Sequence, residues 1–384
     1  MIRGLSGQHV VTKSNGEDAV AFVPCPLPPE PSLDLSGEIQ RLLERAIHAL
    51  GVLDSVSLLL PEPVILWYAF VRREALYSSQ IEGLRCSFSD LLMFEMDNAA
   101  RAASDDIVEV SSCAAAIELG LARLDEGAAI DNRLVREMHD VLFSYGRGRG
   151  KSSGHFRKSQ NWVGGARPRN AQFVPPPPAA VDTCMSELES FVHDDSVPYP
   201  HLVKAALIHV QFETIHPFLD GNGRIGRILI QLLLHQASLL NQPLLYLSLF
   251  FKKHRSEYYR LLDLVRHQGD WESWVRFFLE GVLETASNAV DTARKLLGLM
   301  TSDSSKIHAV GRSASTTLRV FDALCRRPIT NISDLSERTK ISFPTVKNAL
   351  ANLENLGIVK ERTGNRRNRV FVYESYMRLL SDER

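Results

Sequence analysis

The segment from His216 to Arg227 concentrates side chains that are able to act on a phosphate group. It reads His-Pro-Phe-Leu-Asp-Gly-Asn-Gly-Arg-Ile-Gly-Arg. Pro217 cannot continue the apolar helix that precedes it, so His216 is expected at a helix-to-loop corner, where a side chain can project into a cleft. His216 is therefore a candidate base.

A seat for phosphate oxygens is predicted immediately after this corner. Gly221 and Gly223 allow φ > 0 and let backbone N–H groups approach a ligand without a Cβ in the way. A buried helix begins at the same point, with free N–H groups and the positive end of its dipole. Arg224 and Arg227 lie one turn apart on one face and can add two guanidinium forks. Asp220 offers the hard oxygen ligand that Mg²⁺ prefers, so the whole segment indicates phosphate transfer.

Other interpretations of these residues are weaker. Gly221 to Gly223 alone could be a plain turn, and His216 with Asp220 could be a metal pair, but no third protein ligand is evident and zinc would require more nitrogen or sulfur. Gly150-Lys151-Ser152 resembles part of a P-loop, yet that motif needs glycine at position 145, which is Tyr145. We reject the P-loop and interpret this stretch as the entry to a flexible flap.

The composition is that of an ordinary globular protein. The 384 residues carry 44 Lys+Arg against 45 Asp+Glu, a net charge of −1, and 45% of them are hydrophobic. These values exclude a disordered chain and argue against a protein that coats nucleic acid through its overall charge. Five cysteines without a C-x-x-C pair favour a reducing cytoplasm. No stretch is long and apolar enough for a membrane span, so no membrane partner is expected.

Most of the chain is predicted to be helical. Residues up to about Leu35 carry five prolines and are expected to form an extended arm. Apolar residues at three- and four-residue spacing predict helices over Ser36 onward, Pro63–Ile81, Phe88–Met96, Ile107–Leu124, Val181–Val192, His201–Ile215, Gly223–Leu240, Glu257–Val265 and Trp271 to about Met300. Between these helices, Phe156 to Val174 is predicted to form a β-hairpin around a glycine turn.

The C-terminal part is predicted to be a separate module behind a polar linker at Thr301–Ser305. Its predicted elements are helices at Leu318–Cys325, Ile332–Thr339 with Ser333 as N-cap, and Phe343–Leu356, and strands at Ile358–Lys360 and Val370–Tyr373. Three helices followed by a two-stranded wing is the order of a winged helix-turn-helix.

The segment from His216 to Arg227 resembles the signature of the Fic-domain family, H-x-F-x-[DE]-G-N-G-R-x-x-R, at every defined position. Most members of that family transfer AMP from ATP to a protein hydroxyl. The resemblance implies that His216 takes the proton from a Ser, Thr or Tyr hydroxyl, which fits an imidazole with an ordinary pKa near ~6.5. It implies that Asp220 holds Mg²⁺ at the phosphates. It also implies ATP and phosphate binding by Gly221, Asn222, Gly223, Arg224, Ile225, Gly226 and Arg227, with Tyr258 in the adenine pocket.

The resemblance extends over most of the chain and implies its organisation. The expected fold is mostly α, a Fic-type helical bundle with a β-hairpin flap and a C-terminal winged helix-turn-helix domain. We expect an N-terminal arm and helices with an inhibitory motif in residues 1–105, the catalytic core in 106–300 and the winged helix in 312–384.

The inhibitory motif of the family, [ST]-x-x-x-E-[GN], is matched by Ser78, Glu82 and Gly83. Ser78 and Glu82 share a helix face, and Gly83 permits a helix end. The resemblance implies a bidentate pair between Glu82 and Arg227, the arginine that should hold the γ-phosphate, so that the α-phosphate of bound ATP is wrongly aimed. In some relatives the same glutamate assists removal of AMP, which leaves a bifunctional enzyme open. The alternative is an ordinary exposed glutamate at a helix end.

Residues from Gly154 to Val174 resemble the flap of the family, a hairpin that pairs with the target by strand addition. The residues expected to dock the target are Asn161, Trp162, Val163 and Gly164. A surface hairpin without this role is the alternative.

The C-terminal module could bind DNA. The wing carries Lys360, Arg362, Arg366, Arg367 and Arg369, and the helix before it carries Thr345, Lys347, Asn348 and Asn352. Wing cations would contact phosphates and the helix would contact bases, although such modules also dock proteins or mediate dimerisation.

Two hypotheses of different classes follow. The first is an auto-inhibited adenylyltransferase that acts on target proteins, itself included. The second is a DNA-binding regulator that uses the site as a nucleotide sensor. The target, the nucleotide preference and a homodimer are left open.

Overall fold

The computed structural model describes residues 2–14, 17–58, 64–97, 104–145, 152–365 and 367–380. Over these residues the elements are β1 (Gly7–Ser14), β2 (Glu17–Pro24), α1 (Glu38–Leu58), α2 (Val64–Ile81), α3 (Phe88–Asp97), α4 (Asp105–Asp125), α5 (Asn132–Leu142), α6 (Pro178–His193), α7 (His201–Ile215), α8 (Asn222–Gln236), α9 (Ser248–Lys253), α10 (Arg255–Gln268), α11 (Trp271–His308), α12 (Ala314–Arg326), β3 (Ile329–Asn331), α13 (Ile332–Thr339), α14 (Phe343–Asn355), β4 (Lys360–Glu361), β5 (Val370–Val372) and α15 (Glu374–Leu380). The fold is mostly α, as predicted.

Helix α7 lies at the centre of the bundle. Every residue from Leu202 to Ile215 is buried, because the helix packs against α6, α8, α10 and α11. Trp274 of α11 donates a hydrogen bond from Nε1 to the carbonyl of Ala206 at 2.9 Å. A helix that is surrounded on all sides has a fixed position, so α7 is a rigid support for the residues that follow it.

Helix α2 is the second buried support. It packs against α4, α8 and α9, and against α12 of the C-terminal module. Arg72 forms ion pairs with Glu95, at 3.0 Å, and with Glu118. Tyr68 donates a hydrogen bond to Glu95 at 2.6 Å. These contacts fix the helix whose end carries the predicted inhibitory motif.

The N-terminal arm differs from the prediction. Strands β1 and β2 form an antiparallel hairpin with Val11 opposite Val20, and the proline-rich residues after β2 form neither helix nor strand. Phe22 of β2 donates a backbone hydrogen bond to the carbonyl of Val174 at 2.8 Å. The hairpin therefore lies against the predicted flap. Helices α5, α9 and α15 were also missed by the sequence analysis.

The predicted flap hairpin is present in a minimal form. One antiparallel bridge joins Val163 and Phe173, and a single 3₁₀ turn at Pro168–Asn170 lies between them. The earlier part of the flap entry, residues 146–151, lies outside the described residues, as does most of Gly150-Lys151-Ser152.

The linker predicted at Thr301–Ser305 is wrong, since α11 continues without interruption to His308. The C-terminal module follows with the predicted helices and wing, and β3 adds a third strand in the order β3-β5-β4. The N-cap of α13 is Asn331, whose side chain accepts from the backbone N–H of Asp334, and not Ser333. Tyr373 donates a hydrogen bond to Asp303 of α11 at 2.7 Å, so the module is joined to the bundle.

No helix within the described part of the chain has the length and apolar character needed to cross a membrane.

Candidate active site

His216 occupies the corner at the end of α7. Its backbone has φ 50° and ψ 59°, the left-handed region, which costs a residue other than glycine about 1 kcal/mol. Two hydrogen bonds hold it there. Its N–H donates to the carbonyl of Phe212 at 2.9 Å, and its carbonyl accepts from Nε of Arg157 at 2.9 Å. Arg157, a buried cation of the flap segment that sequence reasoning did not single out, therefore locks the predicted base in place.

The His216 imidazole is prepared to accept a proton. Its Nδ1 lies 3.4 Å from the carbonyl of Glu213, and a carbonyl can only accept, so Nδ1 carries the hydrogen and Nε2 keeps its lone pair. Burial, with the nearby cations of Arg266 and Arg157, lowers the pKa of His216 to about 4. The ring is consequently neutral throughout the physiological pH range.

The loop between the two helices is tied together by one amide side chain. Asn222 accepts from the N–H of Phe218 and donates to its carbonyl, both at 2.8 Å. Asn222 can therefore offer a ligand its backbone N–H, while its side chain is committed to the loop. Gly221 has φ +76°, and a Cβ on it would lie 2.6 Å from the ring of Phe143. Only glycine fits this turn.

The residues of the predicted phosphate seat lie at the first turn of α8. A Cβ on Gly223 would lie 2.2 Å from Oε1 of Glu82, so the Glu82 carboxylate fills the space directly above the turn. Arg224 is buried and contacts Glu109 at 3.3 Å. Ile225 and Gly226 differ from the prediction. The N–H of Ile225 donates to the carbonyl of Gly221 and its side chain is in the core, and Gly226 packs against Glu213 and Phe212.

Arg227 is held by Ser78 and Glu82, two of the three residues of the predicted inhibitory motif. Its Nε donates to Oγ of Ser78 at 2.8 Å, and one terminal nitrogen donates to the Ser78 carbonyl at 3.0 Å and to Glu82 at 2.7 Å. The pairing with Glu82 is thus a single hydrogen bond rather than the predicted bidentate one. Gly83, with φ +90°, ends the helix as expected. Burial raises the pKa of the Glu82 carboxyl, but the attraction of Arg227 outweighs it and the net shift is downward.

Glu213 is a titratable group near the site that sequence reasoning missed. It lies one turn before His216 on α7, its side chain faces Gly226, and burial raises its pKa to about 7. Nothing in its surrounding sequence distinguishes it from an ordinary surface glutamate of a helix.

Tyr258 does not lie where it was expected. The side chain is 1% exposed, and its hydroxyl donates to Nε2 of His209 at 2.8 Å inside the core. His209 in turn bonds to the carbonyl of Gly226 at 3.0 Å, which supports α8 from below. The half-buried neighbour Tyr259 is the tyrosine on the open side, where the guanidinium of Arg255 lies 5.1 Å from its ring centre.

The flap segment contacts the catalytic loop directly. Asn161 donates from Nδ2 to the carbonyl of Phe218 at 2.8 Å. Trp162 is half-buried, Val163 forms the single bridge, and Gly164 has φ +71° at the turn. Of the four residues predicted to dock a target, Asn161 therefore contacts the loop that carries the predicted base and carboxylate, and the other three follow it in the chain.

Asp220 is the one predicted metal ligand. Its surroundings fit a metal ion that is bound by the protein through one carboxylate, rather than one enclosed by several protein ligands. Its side chain is 75% exposed, and Oδ1 accepts from the N–H of Gly221 at 2.6 Å. No group of three or more His, Cys, Asp or Glu able to hold a metal occurs among the described residues. A single exposed carboxylate suits Mg²⁺ that takes its other ligands from phosphates and water.

The comparison with known families decides the assignment. Residues 129–234 match the sequence model of the Fic/DOC family, and residues 40–122 match that of the Fic/DOC family N-terminal region. The chain therefore contains a Fic/DOC domain. Residues 315–361 match the model described as bacterial regulatory protein, arsR family, which agrees with the predicted winged helix.

Similar proteins cover the Fic region of this chain. Protein adenylyltransferase Fic of Aedes aegypti is 38% identical over 128 residues, which are 33% of this chain and 23% of that protein. The protein of the same name from Drosophila grimshawi is 33% identical over 158 residues, 40% of this chain and 30% of that protein. The chain thus spans no more than about a third of the length of these curated relatives.

Solved structures confirm the Fic fold. A Fic family protein from Desulfovibrio desulfuricans G20 superposes with a TM-score of 0.59 at 20% identity, over 90% of this chain and 98% of that chain. Fic-1 from C. elegans gives a TM-score of 0.52 at 19% identity, over 69% of this chain and 74% of that chain.

The outer face of the winged helix is smaller than predicted. On α14, Thr345, Lys347 and Asn348 are exposed, but Asn352 points inward and donates to Ser313 and Thr317 at 3.1 and 3.2 Å. In the wing, Arg362 pairs with Glu374 at 2.7 Å and Arg369 lies 3.6 Å from Glu354. Lys360 and Arg367 are exposed, whereas Arg366 lies outside the described residues.

We predict that His216 stays neutral down to pH 5. Because the folded pKa is about 4 and the unfolded one near ~6.5, the unfolded chain binds this proton first as the pH falls. The stability contributed by the neutral ring is complete above pH ~6.5 and is lost toward pH 4. A ¹³C-histidine NMR titration, assigned with His216→Ala, should show no movement of the His216 Cε1–H signal between pH 8 and 5.5. The urea-unfolded protein is the control, and a midpoint between pH 6 and 7 in the folded protein would contradict the prediction.

We predict that Asn222→Ala destabilises the protein by about 2 kcal/mol, because the buried N–H of Phe218 loses its acceptor. Urea unfolding followed by circular dichroism measures this difference. The control is Asn288→Ala, an exposed position on α11 where we expect a change within about 0.5 kcal/mol. Equal stability of the two variants would show that the Asn222 side chain does not hold the loop.

Proposed function

We propose that this Fic protein is an auto-inhibited protein adenylyltransferase that moves AMP from ATP to Ser, Thr or Tyr hydroxyls of target proteins, including itself. The observation that carries the proposal is the position of the neutral His216 next to the helix start at Gly223 and the buried Arg227. A base, a backbone anion seat and a guanidinium at one point are what phosphoryl-group chemistry requires. The names of the curated relatives support the same activity.

The reaction follows from the state of the His216 ring. The target hydroxyl gives its proton to Nε2 of His216 as its oxygen forms a bond to the α-phosphorus of ATP. The bond between that phosphorus and the bridging oxygen to the β-phosphate breaks, and pyrophosphate leaves. Nδ1 remains protonated toward the Glu213 carbonyl, so the imidazolium that forms is held by the same acceptor. The backbone N–H groups at the start of α8 and the guanidinium of Arg224 would hold the phosphates while this occurs.

Mg²⁺ would be held by Asp220 and would neutralise charge on the phosphates when bound. The task of the chain is to keep that carboxylate directed outward, and the hydrogen bond from the Gly221 N–H to Oδ1 does so.

The flap would present the target. A segment that adds as a strand beside Val163 would lie next to the catalytic loop, to which the flap is fixed by Asn161 and Arg157. The hydroxyl of the target would then approach His216 from a defined position, and such positioning is the main requirement of an in-line transfer.

Inhibition would come from Glu82. Its carboxylate fills the space above Gly223 and binds Arg227, so a nucleotide phosphate and Glu82 cannot both occupy the seat. We also propose that the same glutamate positions water for the removal of AMP, because it lies above the turn that would hold the phosphate. The five unpaired cysteines agree with a place of action in the cytoplasm.

We expect Glu82→Gly to raise self-labelling with α-labelled ATP at least about tenfold. The substitution removes the side chain that obstructs the phosphate seat, and with it a charged hydrogen bond to Arg227 with a free energy of about 1–3 kcal/mol that competes with the phosphate. Labelled protein is quantified on a gel at fixed Mg²⁺, and His216→Ala in the same background should abolish the label.

Glu126→Gly is the matched control, because Glu126 also follows the last residue of a helix and precedes a glycine, Gly127, but pairs with Arg123 at the surface. It should leave labelling unchanged. Equal labelling of wild type and Glu82→Gly would remove Glu82 from the account, and nucleotide binding without any His216-dependent label would favour a sensor.

The second candidate function is a DNA-binding regulator, favoured by the arsR-type match and by the exposed polar face of α14. We expect the full chain to bind duplex DNA with an affinity that falls steeply between 50 and about 200 mM salt, and Lys347→Ala to weaken it. Fluorescence anisotropy with a labelled duplex measures both effects. Binding that does not respond to salt, or no binding, would leave the module a protein-docking domain. Asn352→Ala is the control, because it removes only the inward hydrogen bonds to Ser313 and Thr317. It shows how far a weaker fold of the module, rather than a change of its DNA-facing surface, lowers binding.

A further inference from the structure

A second histidine lies under the catalytic loop, outside the signature segment. His139 of α5 is 3% exposed, and its ring stacks on that of Phe218 with centroids 3.7 Å apart and planes 9° apart. Its Nε2 lies 3.1 Å from the carbonyl oxygen of Asp220. Phe218 and Asp220 both belong to the loop that joins the candidate base to the phosphate seat.

The other ring nitrogen binds the beginning of the flap. The backbone N–H of Gly154 donates to Nδ1 of His139 at 3.0 Å. Nδ1 must therefore be the unprotonated nitrogen, and Nε2 carries the hydrogen that is donated to the Asp220 carbonyl. One imidazole in a single tautomer thus joins three segments: α5, the catalytic loop and the start of the flap.

We propose that His139 is a positioning residue for AMP transfer, one that fixes the Asp220 peptide and sets the flap against the catalytic loop. This inference rests on the proposed function. With its carbonyl held by His139 and its carboxylate held by the Gly221 N–H, the Asp220 side chain keeps one direction. Transfer by proximity is sensitive to such support, since a displacement of about 1 Å costs roughly 100-fold in rate.

The proposal separates turnover from nucleotide binding. Arg227 is held by Ser78 and Glu82, whereas the hydrogen bonds of the His139 ring go to Asp220 and Gly154. Loss of His139 should therefore lower kcat and leave the KM for ATP nearly unchanged.

Three substitutions in the Glu82→Gly background test this. His139→Gln can place an amide N–H near the position of Nε2, His139→Asn can place a carbonyl near Nδ1, and His139→Phe keeps only the ring stack. We expect His139→Phe and His139→Asn to lower kcat at least about 30-fold with a KM for ATP within about threefold, and His139→Gln to retain kcat within about fivefold. His193→Phe, which removes a similar histidine contact to the carbonyl of Ile130 at 3.1 Å, should keep kcat.

Amide hydrogen exchange of the same variants with intact Glu82 gives a readout that needs no activity. We expect faster exchange over residues 217–222 in His139→Asn and His139→Phe, but not in His139→Gln. Over residues 152–156 the order reverses, with faster exchange in His139→Gln and His139→Phe and protection in His139→Asn.

The results that would overturn the proposal are distinct from failure of the proposed function. A Glu82→Gly protein that transfers no AMP contradicts the proposed function itself. An active Glu82→Gly enzyme in which His139→Phe keeps its kcat, or in which the Gln and Asn variants exchange alike in both segments, contradicts the role of His139. A uniform fall in melting temperature of all three variants, with an equal fall in kcat, would make His139 a core residue only.

Discussion

A guanidinium buried at the start of α8 constrains the entire site. The Arg227 side chain is 2% exposed, and a buried cation is stable only while acceptors surround it. Ser78 supplies two acceptors and Glu82 the third, and of these three only the Glu82 oxygen carries charge. The same oxygen fills the space above Gly223. A phosphate at the seat would replace Glu82 both as the countercharge and as the occupant of that volume. Because the surrounding helices are close-packed, the two anions exclude each other.

The catalytic segment could be predicted because its parts are adjacent in the chain. A proline after the base, a glycine turn and two arginines one helical turn apart are local features. The contacts that fix them are not local: no pattern indicates that Arg157 meets the His216 carbonyl or that a histidine of α5 meets that of Asp220. The burial of Tyr258 could not be predicted for a related reason. Neighbouring residues of a helix point about 100° apart, and which one faces the core depends on packing against α7.

The bundle itself was predictable because long runs of the chain carry apolar residues at three- and four-residue spacing, as in α1 and α10. The errors lie where tertiary contacts override local signals. Polar residues at 301–305 looked like a linker, but Asp303 is buried in α11 because Tyr373 of the C-terminal module bonds to it. The N-terminal hairpin was not predicted because the prolines that follow it indicated an extended arm. It is held by the hydrogen bond from Phe22 to the carbonyl of Val174, a residue far from it in the chain.

The way Glu82 can leave the seat follows from how α2 is held. From Leu66 to Ile81 nearly every side chain of α2 is buried, and Arg72 is paired on both sides, so moving the helix as a body would expose apolar surface at ~25 cal/mol/Å² and break its ion pairs. Glu82 itself follows the last helical residue, has a side chain 36% exposed, and precedes Gly83 in a left-handed conformation. A single hydrogen bond holds it to Arg227. Rotation of this side chain, or opening of the last turn, therefore costs far less than displacement of α2. The contact between Glu82 and Arg227 is accordingly a local one on a fixed scaffold, and α2 can remain in place when the Glu82 side chain moves.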